Sequence, residues 1–372
     1  MSALFQPITL GGIELPNRVV VAPMCQYSAV DGTMNDWHLA HYGSLALSKA
    51  GLLVFEATHV SDIGRITHGC AGLYSDANET AMRRVVELCR NVSDIPLGVQ
   101  IAHAGRKAAT HRPWQGRGPL QPGEDRWQTV GPSALAPNDG WQTPRELSES
   151  DLRLVHDQFV ASTERALRIG FDLAELHGAH GYLLHSFLSP ISNRRTDRWG
   201  GDAEGRMRFP LEVAAAVREV WPKDKALGVR ITGSDWQEGG LTPDDAVTFA
   251  GRLKALGYDF VCVSSGGIGG ITQFQVTPGY QVPFAAAVKR GTGIATRAVG
   301  MIVDPHHAEA IVARGEADMV ALARGFLDNP RWVWHAAEAL GAPLALPSQY
   351  ERAGHDLWAG AEIARPVAKA AE

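Results

Sequence analysis

Eight short apolar runs, separated by longer amphipathic stretches, constrain the fold of this 372-residue chain more than any other feature. The runs lie at residues 18–23, 51–58, 97–102, 173–177, 227–231, 260–264, 294–299 and 319–323. Short, continuously apolar runs rich in Val, Ile, Leu and Ala are typical of parallel strands buried on both faces. Eight such strands alternating with helices predict a single parallel (β/α)8 barrel, with a doubly wound sheet as the alternative.

The stretches between the runs carry the signals of helix boundaries. Ser148 and Asp151 form an approximate capping box before a periodic run that ends near Gly170. Three further helices are predicted to begin at Thr242-Pro243, Asp304-Pro305 and Asn329-Pro330. Their ends are marked by glycines at 257, 315 and 341.

Two segments do not fit a plain strand or helix. Residues 8–15 predict an antiparallel hairpin with a Gly-Gly turn that plugs the bottom of the barrel. Residues 103–147, rich in Pro and Trp, predict a capping insertion after the third strand, on the C-terminal face, which is either a functional lid or carries a small hairpin of its own. We therefore expect one barrel domain over residues 1–345 and a C-terminal segment over 346–372 whose last dozen residues are mobile.

Composition excludes several classes of protein. The net charge of −5 leaves no basic field for a nucleic acid, and 40 glycines predict tight turns and close approach of the backbone to a ligand. The four cysteines contain no CxxC pair, which argues against structural zinc and iron–sulfur clusters. Without a signal peptide or an apolar run of about 18 residues, a cytoplasmic protein with no membrane contact is expected.

Polar side chains gather where the predicted strands end, which is where barrels place their chemistry. After the fourth strand, His177 and His180 could be zinc ligands, structural residues, or two neutral donors to one substrate oxygen. Tyr182 could donate a proton to a substrate or simply pack. The residue types alone leave these alternatives open.

Other strand ends carry candidates of the same kind. Gly300 and Arg324 could hold a phosphate group, or be a turn glycine and a partner of Asp328. Arg230 needs an anion, which could be a cofactor or Glu175 on the neighbouring strand. Cys25 could be a reactive or redox-tuning thiol, or a small packing residue.

Taken together, these segments resemble the Old Yellow Enzyme family of flavin-dependent ene-reductases, in particular its bacterial, cysteine-containing, xenobiotic reductase-like subclass. The similarity rests on LPNRVVVAPMCQYSA (15–29), EATHV and IGRIT (56–67), QIAHAGRKA (100–108), ELHGAHGYLLHSFLSPISNRRTDRWGG (175–201), AVGMI (298–302), ALARGFLDNP (321–330) and PSQYERA (347–353). It implies a single FMN-binding barrel. The iron–sulfur branch of the family is disfavoured, because its cysteine cluster is missing here.

The resemblance implies a role for each matching position. FMN is expected to contact Ala22, Pro23, Met24, Cys25, Ala57, Gln100, Arg230, Gly300, Ala323 and Arg324. Among these, Gln100 and Arg230 would face the pyrimidine edge, Arg324 the phosphate, and Cys25 would tune the redox potential. Arg297 departs from the apolar or aromatic residue of some relatives, which leaves the shape of the pocket open.

The resemblance also implies a reaction. NADPH or NADH reduces the flavin, flavin N5 passes a hydride to the β carbon of an enone, enal or similar activated alkene, and Tyr182 protonates the α carbon. His177 and His180 would bind the carbonyl oxygen, with Tyr27 and Lys107 in the substrate pocket. Arg352 would reach the active site of a neighbouring subunit, which implies a homodimer or homotetramer. A metal-dependent hydrolase and a non-catalytic phosphate-binding barrel remain the competing hypotheses.

Overall fold

A closed barrel of eight parallel strands forms the centre of the computed structural model, which describes residues 2–270 and 274–365. The strands are β1 (Val19–Val21), β2 (Leu52–His59), β3 (Leu97–Ala102), β4 (Leu173–Gly178), β5 (Ala226–Thr232), β6 (Phe260–Ser264), β7 (Ala295–Ala298) and β8 (Met319–Leu322). Each strand pairs with the next in sequence, and β8 pairs with β1. The predicted barrel is confirmed and the doubly wound alternative is wrong.

Helices follow the strands and form the outer layer. They are α1 (Asp36–Ala46), α2 (Asp76–Val92), α3 (Glu149–Ile169), α4 (Leu183–Leu188), α5 (Ala203–Val220), α6 (Pro243–Ala255), α7 (Val282–Thr292), α8 (Pro305–Ala313), α9 (Arg324–Asp328), α10 (Trp332–Ala339) and α11 (Ala361–Ala364). No helix in these described ranges combines the length and the hydropathy that crossing a bilayer requires.

Most strand residues are apolar because both faces of the strands are buried. Val20 and Phe260 belong to a cluster inside the barrel, whereas Val19 and Val21 pack against the outer helices. This alternation follows from the period of two in a strand. Each fully buried side chain of this size contributes about 1.5–3 kcal/mol to folding, so the two apolar layers together fix the barrel.

The helix boundaries follow the capping signals in the sequence. Ser148 Oγ accepts the N–H of Asp151, while the Asp151 carboxylate accepts the N–H of Ser148 at 2.8 Å. Gly170 ends α3 at φ +99°, a conformation that favours glycine. The predicted capping box is confirmed, and Thr242 caps α6 with Asp245 in the same way.

The N-terminal hairpin closes the bottom of the barrel as predicted. Its strands, Ile8–Leu10 and Ile13–Leu15, pair antiparallel around Gly11 and Gly12. Leu10 and Leu15 pack into the apolar cluster inside the barrel. A Cβ atom at position 12 would lie 2.4 Å from the carbonyl oxygen of Asp224, just before β5, so the turn requires glycine there.

The insertion at residues 103–147 covers part of the opposite, C-terminal face. Arg106 donates hydrogen bonds to the carbonyl oxygens of Leu135 and Ile268, joining the insertion to the loop after β6. The insertion contains two short strands, Val130–Gly131 and Arg145–Glu146. These strands pair in parallel and so are not a hairpin, whereas Thr110 and Pro119 of the same insertion form an antiparallel bridge.

The C-terminal segment is partly regular. Residues Ser348–Ala353 form a 3-10 turn and α11 follows, although the sequence shows no helical period there. Of the last dozen residues, which are predicted to be mobile, the first four form α11 and those from position 366 onward lie outside the described residues.

Candidate active site

A cavity of about 540 Å³ opens at the C-terminal ends of β5 to β8. Its size lies within the range of about 300–1,000 Å³ that is usual for pockets holding small molecules. Five residues predicted to contact a cofactor line it: Ala22, Arg230, Gly300, Ala323 and Arg324. His180 lines it as well, so this cavity adjoins the predicted substrate site.

Arg230 faces this cavity from β5 with its charge largely uncompensated. Its Nη2 lies 3.5 Å from Ser264 Oγ, and its buried Nε has no hydrogen-bond partner. Among the described residues, no carboxylate forms an ion pair with it. Because a guanidinium in an apolar strand is costly without an anion, the cavity is suited to a ligand that carries negative charge near Arg230.

Glu175, the alternative partner of Arg230, instead pairs with Arg297 inside the barrel. Both side chains are fully buried, and Arg297 Nη2 contacts Glu175 Oε2. The register explains the difference, since β4 pairs His177 with Arg230 and Glu175 with Gly228. Arg297 therefore does not shape the pocket, because its guanidinium lies in the barrel interior over the Phe260 ring.

Gln100 lies next to this buried ion pair. Its Nε2 donates to Glu175 Oε1 at 2.7 Å, and the residue is 2% exposed. This hydrogen bond fixes the orientation of the Gln100 amide, so its carbonyl oxygen is available to accept a hydrogen bond from another group. Ala57 lies in β2 directly after an irregularity in the pairing with β3.

The loops after β7 and β8 form the far end of the cavity. Gly300 has φ +113°, and a Cβ atom there would lie 2.8 Å from Gln281 Nε2, so only glycine fits. Arg324 opens α9, whose first turn has no side-chain cap. No ion pair joins Arg324 to Asp328, so that alternative is wrong.

His177, His180 and Tyr182 form a cluster of three rings at the end of β4. The His177 ring lies 5.1 Å from that of His180 and 4.9 Å from that of Tyr182, both edge-to-face. His177 Nδ1 accepts the N–H of Ala179 at 3.3 Å, so a neutral His177 carries its proton on Nε2. His180 Nε2 lies 2.7 Å from Ser264 Oγ.

The surroundings of this cluster keep all three side chains uncharged at neutral pH. Burial and the positive charge of Arg230 hold the pKa values of His177 and His180 well below their usual range. Burial, with the Cys25 and Cys70 thiols nearby, raises the pKa of Tyr182. Two neutral imidazoles and a protonated phenol can bind an oxygen atom and supply a proton without a change of net charge.

Cys25 packs beside this cluster, in the segment Pro23–Cys25 that follows β1. It packs against an apolar group that includes Cys70, and Tyr27 and Tyr182 pack against the same group. Burial, Cys70 and Glu56 raise the pKa of the Cys25 thiol well above its usual value. A reactive thiolate is therefore not present at neutral pH, and a redox-tuning role stays a prediction.

The other three predicted substrate residues lie in different parts of the structure. Tyr27 stacks edge-to-face on Trp114 of the insertion. Lys107 Nζ donates 2.7 Å hydrogen bonds to the carbonyl oxygens of His180 and Gly267, and burial together with Arg106 lowers its pKa to about 8. Arg352 is exposed on the C-terminal 3-10 turn.

Four polar residues that line the cavity were not among the predicted site residues: Ser264, Ser265, Tyr280 and Gln281. The hydroxyls of Ser264 and Ser265 both lie within hydrogen-bond distance of Gln281 Oε1. Ser264 ends β6 and Ser265 follows it, which is a signal that the sequence does offer. Gln281 directly precedes α7 and gives no comparable signal.

Comparison with known proteins shows the family. The model of the NADH:flavin oxidoreductase / NADH oxidase family matches residues 3–342. The chain is 42% identical over 351 residues to NADPH dehydrogenase from Geobacillus sp. (strain WCH70), covering 94% of this chain and 98% of that protein. The chain belongs to the Old Yellow Enzyme family.

Solved Old Yellow Enzyme structures agree with this assignment. Morphinone reductase superposes with a TM-score of 0.76 at 30% identity, covering 93% of this chain and 92% of that one. Its complex with tetrahydroNAD gives a TM-score of 0.75 at 29% identity, with the same shares covered. As an Old Yellow Enzyme the chain is an oxidoreductase that uses FMN and a nicotinamide cofactor, so these predictions are confirmed. The hydrolase and the non-catalytic barrel are wrong.

The side chains of this Old Yellow Enzyme fit FMN. The buried, unpartnered Nε of Arg230 marks where the barrel requires an anion. The glycine at position 300 lets the backbone approach closely at the other end, where Arg324 supplies a second cation. A single elongated ligand with anionic character at both ends satisfies both requirements.

Proposed function

We propose that this enzyme is an NADPH-dependent ene-reductase that reduces the C=C bond of α,β-unsaturated carbonyl compounds. The observation that carries the proposal is the cluster of neutral His177, neutral His180 and protonated Tyr182 beside the cavity. The NADPH dehydrogenases of similar sequence support NADPH as the reductant, and the similarity to morphinone reductase supports the reductive direction.

FMN would be held along the cavity from Arg230 to Arg324. Arg230 would compensate negative charge on the pyrimidine ring, with Gln100 oriented by Glu175 at the same edge. Gly300, Ala323 and Arg324 would hold the phosphate group. The segment Ala22–Cys25 and Ala57 would contact the ring system, with Cys25 tuning its potential. When bound, FMN supplies the hydride that it has taken from the nicotinamide.

The two histidines would bind the carbonyl oxygen of the substrate. His177 offers Nε2–H, because its Nδ1 accepts the Ala179 N–H. His180 Nε2 lies within hydrogen-bond distance of Ser264 Oγ, and His180 would offer Nδ1–H to the substrate when that hydroxyl donates to Nε2 rather than to Gln281 Oε1. Two such donors stabilise negative charge as it develops on the oxygen, which polarises the conjugated C=C bond.

Tyr182 would supply the proton that completes the reduction. Its raised pKa keeps the hydroxyl protonated until a strongly basic carbon forms beside it. Tyr27 and Lys107 would border the substrate, which would be a small enone or enal.

The C-terminal segment 346–372 would serve a second subunit, with residues 1–345 forming the barrel. Arg352 is exposed on its 3-10 turn, and Leu357, Trp358 and Ile363 beside it are exposed as well. Exposed apolar groups of this kind are usual at protein interfaces. In a homodimer or homotetramer, Arg352 would reach the cavity of the neighbouring chain.

The absorption spectrum of the purified protein tests this function. We expect a band near ~450 nm from bound oxidised flavin, loss of that band with NADPH under anaerobic conditions, and its return with cyclohex-2-enone. Arg230→Met should bind FMN more weakly, because the cavity loses its uncompensated cation. A colourless protein that takes up no FMN, or a reduced protein that the enone does not reoxidise, would contradict the proposal.

A further inference from the structure

The turn that carries His180 and Tyr182 has a strained backbone. His180 has φ +59° and Gly181 has φ +74°, so two consecutive residues are in the left-handed region. A side chain other than glycine adopts this conformation only when its surroundings hold it there. Gly181 itself is required, since a Cβ atom would lie 2.3 Å from the carbonyl oxygen of Gly267.

Hydrogen bonds with the side chains of His185, Thr232 and Lys107 hold the peptide groups of this turn. The Gly181 N–H donates to Nδ1 of His185 at 2.7 Å, which is the shortest contact to a backbone N–H of the turn. The His180 N–H donates to Thr232 Oγ1 at 3.3 Å, and the Thr232 hydroxyl lies 3.4 Å from the same His185 Nδ1. Lys107 holds the His180 carbonyl oxygen. His185 therefore supports both N–H groups, one directly and one through Thr232.

His185 is itself fixed by a buried carboxylate. Its Nε2 lies 3.0 Å from Oδ1 of Asp235, and both side chains are fully buried. The other oxygen of Asp235 accepts the Ser189 hydroxyl at 2.7 Å and the Leu241 N–H at 2.8 Å. Burial alone would raise the pKa of Asp235, but His185 and these donors lower it below its usual value.

The direction of these hydrogen bonds determines the tautomer of His185. Nδ1 must be unprotonated, because it accepts the Gly181 N–H. The proton of the neutral ring is then on Nε2, facing the negative charge of Asp235. A carboxylate at Nε2 favours this tautomer over the other, as an acid partner commonly does for a functional histidine.

We propose that His185 and Asp235 act as a positioning pair that holds His180 and Tyr182 in the geometry needed for alkene reduction. The proposal rests on the function proposed above. Neither residue lines the cavity, so they would act through the turn: Asp235 fixes the His185 tautomer, and His185 Nδ1 fixes the turn. Loss of the Nδ1 acceptor would let the two side chains move away from the substrate.

Two substitutions of His185 test the roles of its Nδ1 and Nε2 atoms separately. In His185→Asn the amide oxygen can replace Nδ1 as the acceptor for Gly181. In His185→Gln the longer side chain can still reach Asp235 but leaves the Gly181 N–H without an acceptor. We expect His185→Gln to bind a para-substituted phenol about five- to tenfold more weakly than wild type and to lose a similar factor in kcat. His185→Asn should lose clearly less in both.

Amide hydrogen exchange measures the turn directly, without any turnover. In the FMN-bound protein, the peptide containing residues 179–183 should exchange about tenfold faster in His185→Gln than in His185→Asn or wild type. Asp235→Asn should behave like His185→Gln, because its NH₂ group would face Nε2 and drive the proton to Nδ1. Equal exchange in all four proteins, or equal losses in the two histidine variants, would overturn the proposal.

The tautomer can be checked in the wild-type protein, so the test does not depend on the folding of a variant. The ¹⁵N chemical shifts of His185 should show a neutral ring protonated on Nε2 at pH 7. A ring protonated on Nδ1 or on both nitrogens would overturn the positioning role. If the wild-type protein shows the expected tautomer and exchange but reduces no alkene, the proposed function fails while the structural role of the pair stands.

Discussion

At the scale of single residues, the chemistry depends on groups that remain uncharged. Burial and the positive charges of Arg230 and Lys107 keep His177 and His180 neutral. Burial keeps Tyr182 protonated, although the charge of Arg230 acts in the opposite direction there. The Tyr182 ring packs against His177 and under the Lys107 ammonium group. Its hydroxyl is therefore the part of Tyr182 that a conservative substitution can remove with the least disturbance.

Tyr182→Phe tests the proton donor. The ring contacts stay, so we expect a stable, FMN-bound protein whose reduction by NADPH is largely unaffected. Reoxidation by cyclohex-2-enone should slow by about 10²–10⁴-fold, the usual contribution of a positioned acid. Stopped-flow measurement of the two half-reactions gives both rates, with Tyr74→Phe as the control away from the cavity. Equal losses in both half-reactions would show that Tyr182 has another role.

At the scale of elements, the sequence predicts strands and helix ends well. Buried parallel strands are continuously apolar, so β3 and β6 have the predicted bounds, and β1, β4 and β8 differ by two residues or fewer. Capping residues act locally, which is why Ser148 and Thr242 could be recognised. The pairing of the two short strands in the insertion could not be predicted, because it depends on how a proline-rich loop folds back on itself.

The side-chain partners across the barrel were the harder part of the site. Glu175 and Arg297 are 122 residues apart, and their contact depends on the side chains that point into the barrel. The sequence offered Arg230 as the nearer partner on an adjacent strand, and only the register excludes it. His185 is similarly inconspicuous, since it lies within the apolar run of α4 and finds Asp235 50 residues later.

The C-terminal 3-10 turn gives a prediction at this scale. If Arg352 completes the neighbouring active site, Arg352→Ala and Tyr182→Phe damage the same site from different chains. Co-expression of the two variants should then restore about one quarter of wild-type activity in a dimer, since half of the dimers are mixed and each has one intact site. Sedimentation velocity checks that the variants still assemble. Activity equal to the mean of the separate variants would contradict a shared site.

At the scale of the whole molecule, one closed barrel explains both the stability of the fold and the position of the active site. The hairpin seals one end, and the insertion at 103–147 covers part of the other. Several histidines near the C-terminal ends of the strands are buried, among them His59 and His103, each 1% exposed. Burial lowers the pKa of His59 to about 4 and that of His103 to about 3.

These buried histidines predict how stability changes with pH. Between about pH 6.5 and 4 the unfolded chain binds these protons and the folded protein does not, so the free energy of unfolding falls as the pH falls. Each histidine contributes a slope of up to about 1.4 kcal/mol per pH unit. Urea unfolding of the FMN-bound protein should therefore show a lower midpoint at pH 5.5 than at pH 7.5.

A matched variant isolates this effect. In His103→Asn the amide oxygen can accept the Gly105 N–H that Nδ1 of His103 now accepts. The variant has no titrating ring, so its midpoint should fall less between the two pH values. A wild-type midpoint that is equal or higher at pH 5.5 would contradict the prediction.

Isotope labelling of the product shows whether the enzyme adds a hydride and a proton across the C=C bond. The wild-type enzyme would reduce cyclohex-2-enone once with NADPH deuterated at the transferred position, and once with ordinary NADPH in D₂O. We expect cyclohexanone with deuterium on the β carbon in the first experiment and on the α carbon in the second, because hydride and proton come from different sources. An allylic alcohol labelled at the carbonyl carbon, or no product at all, would contradict the proposed function.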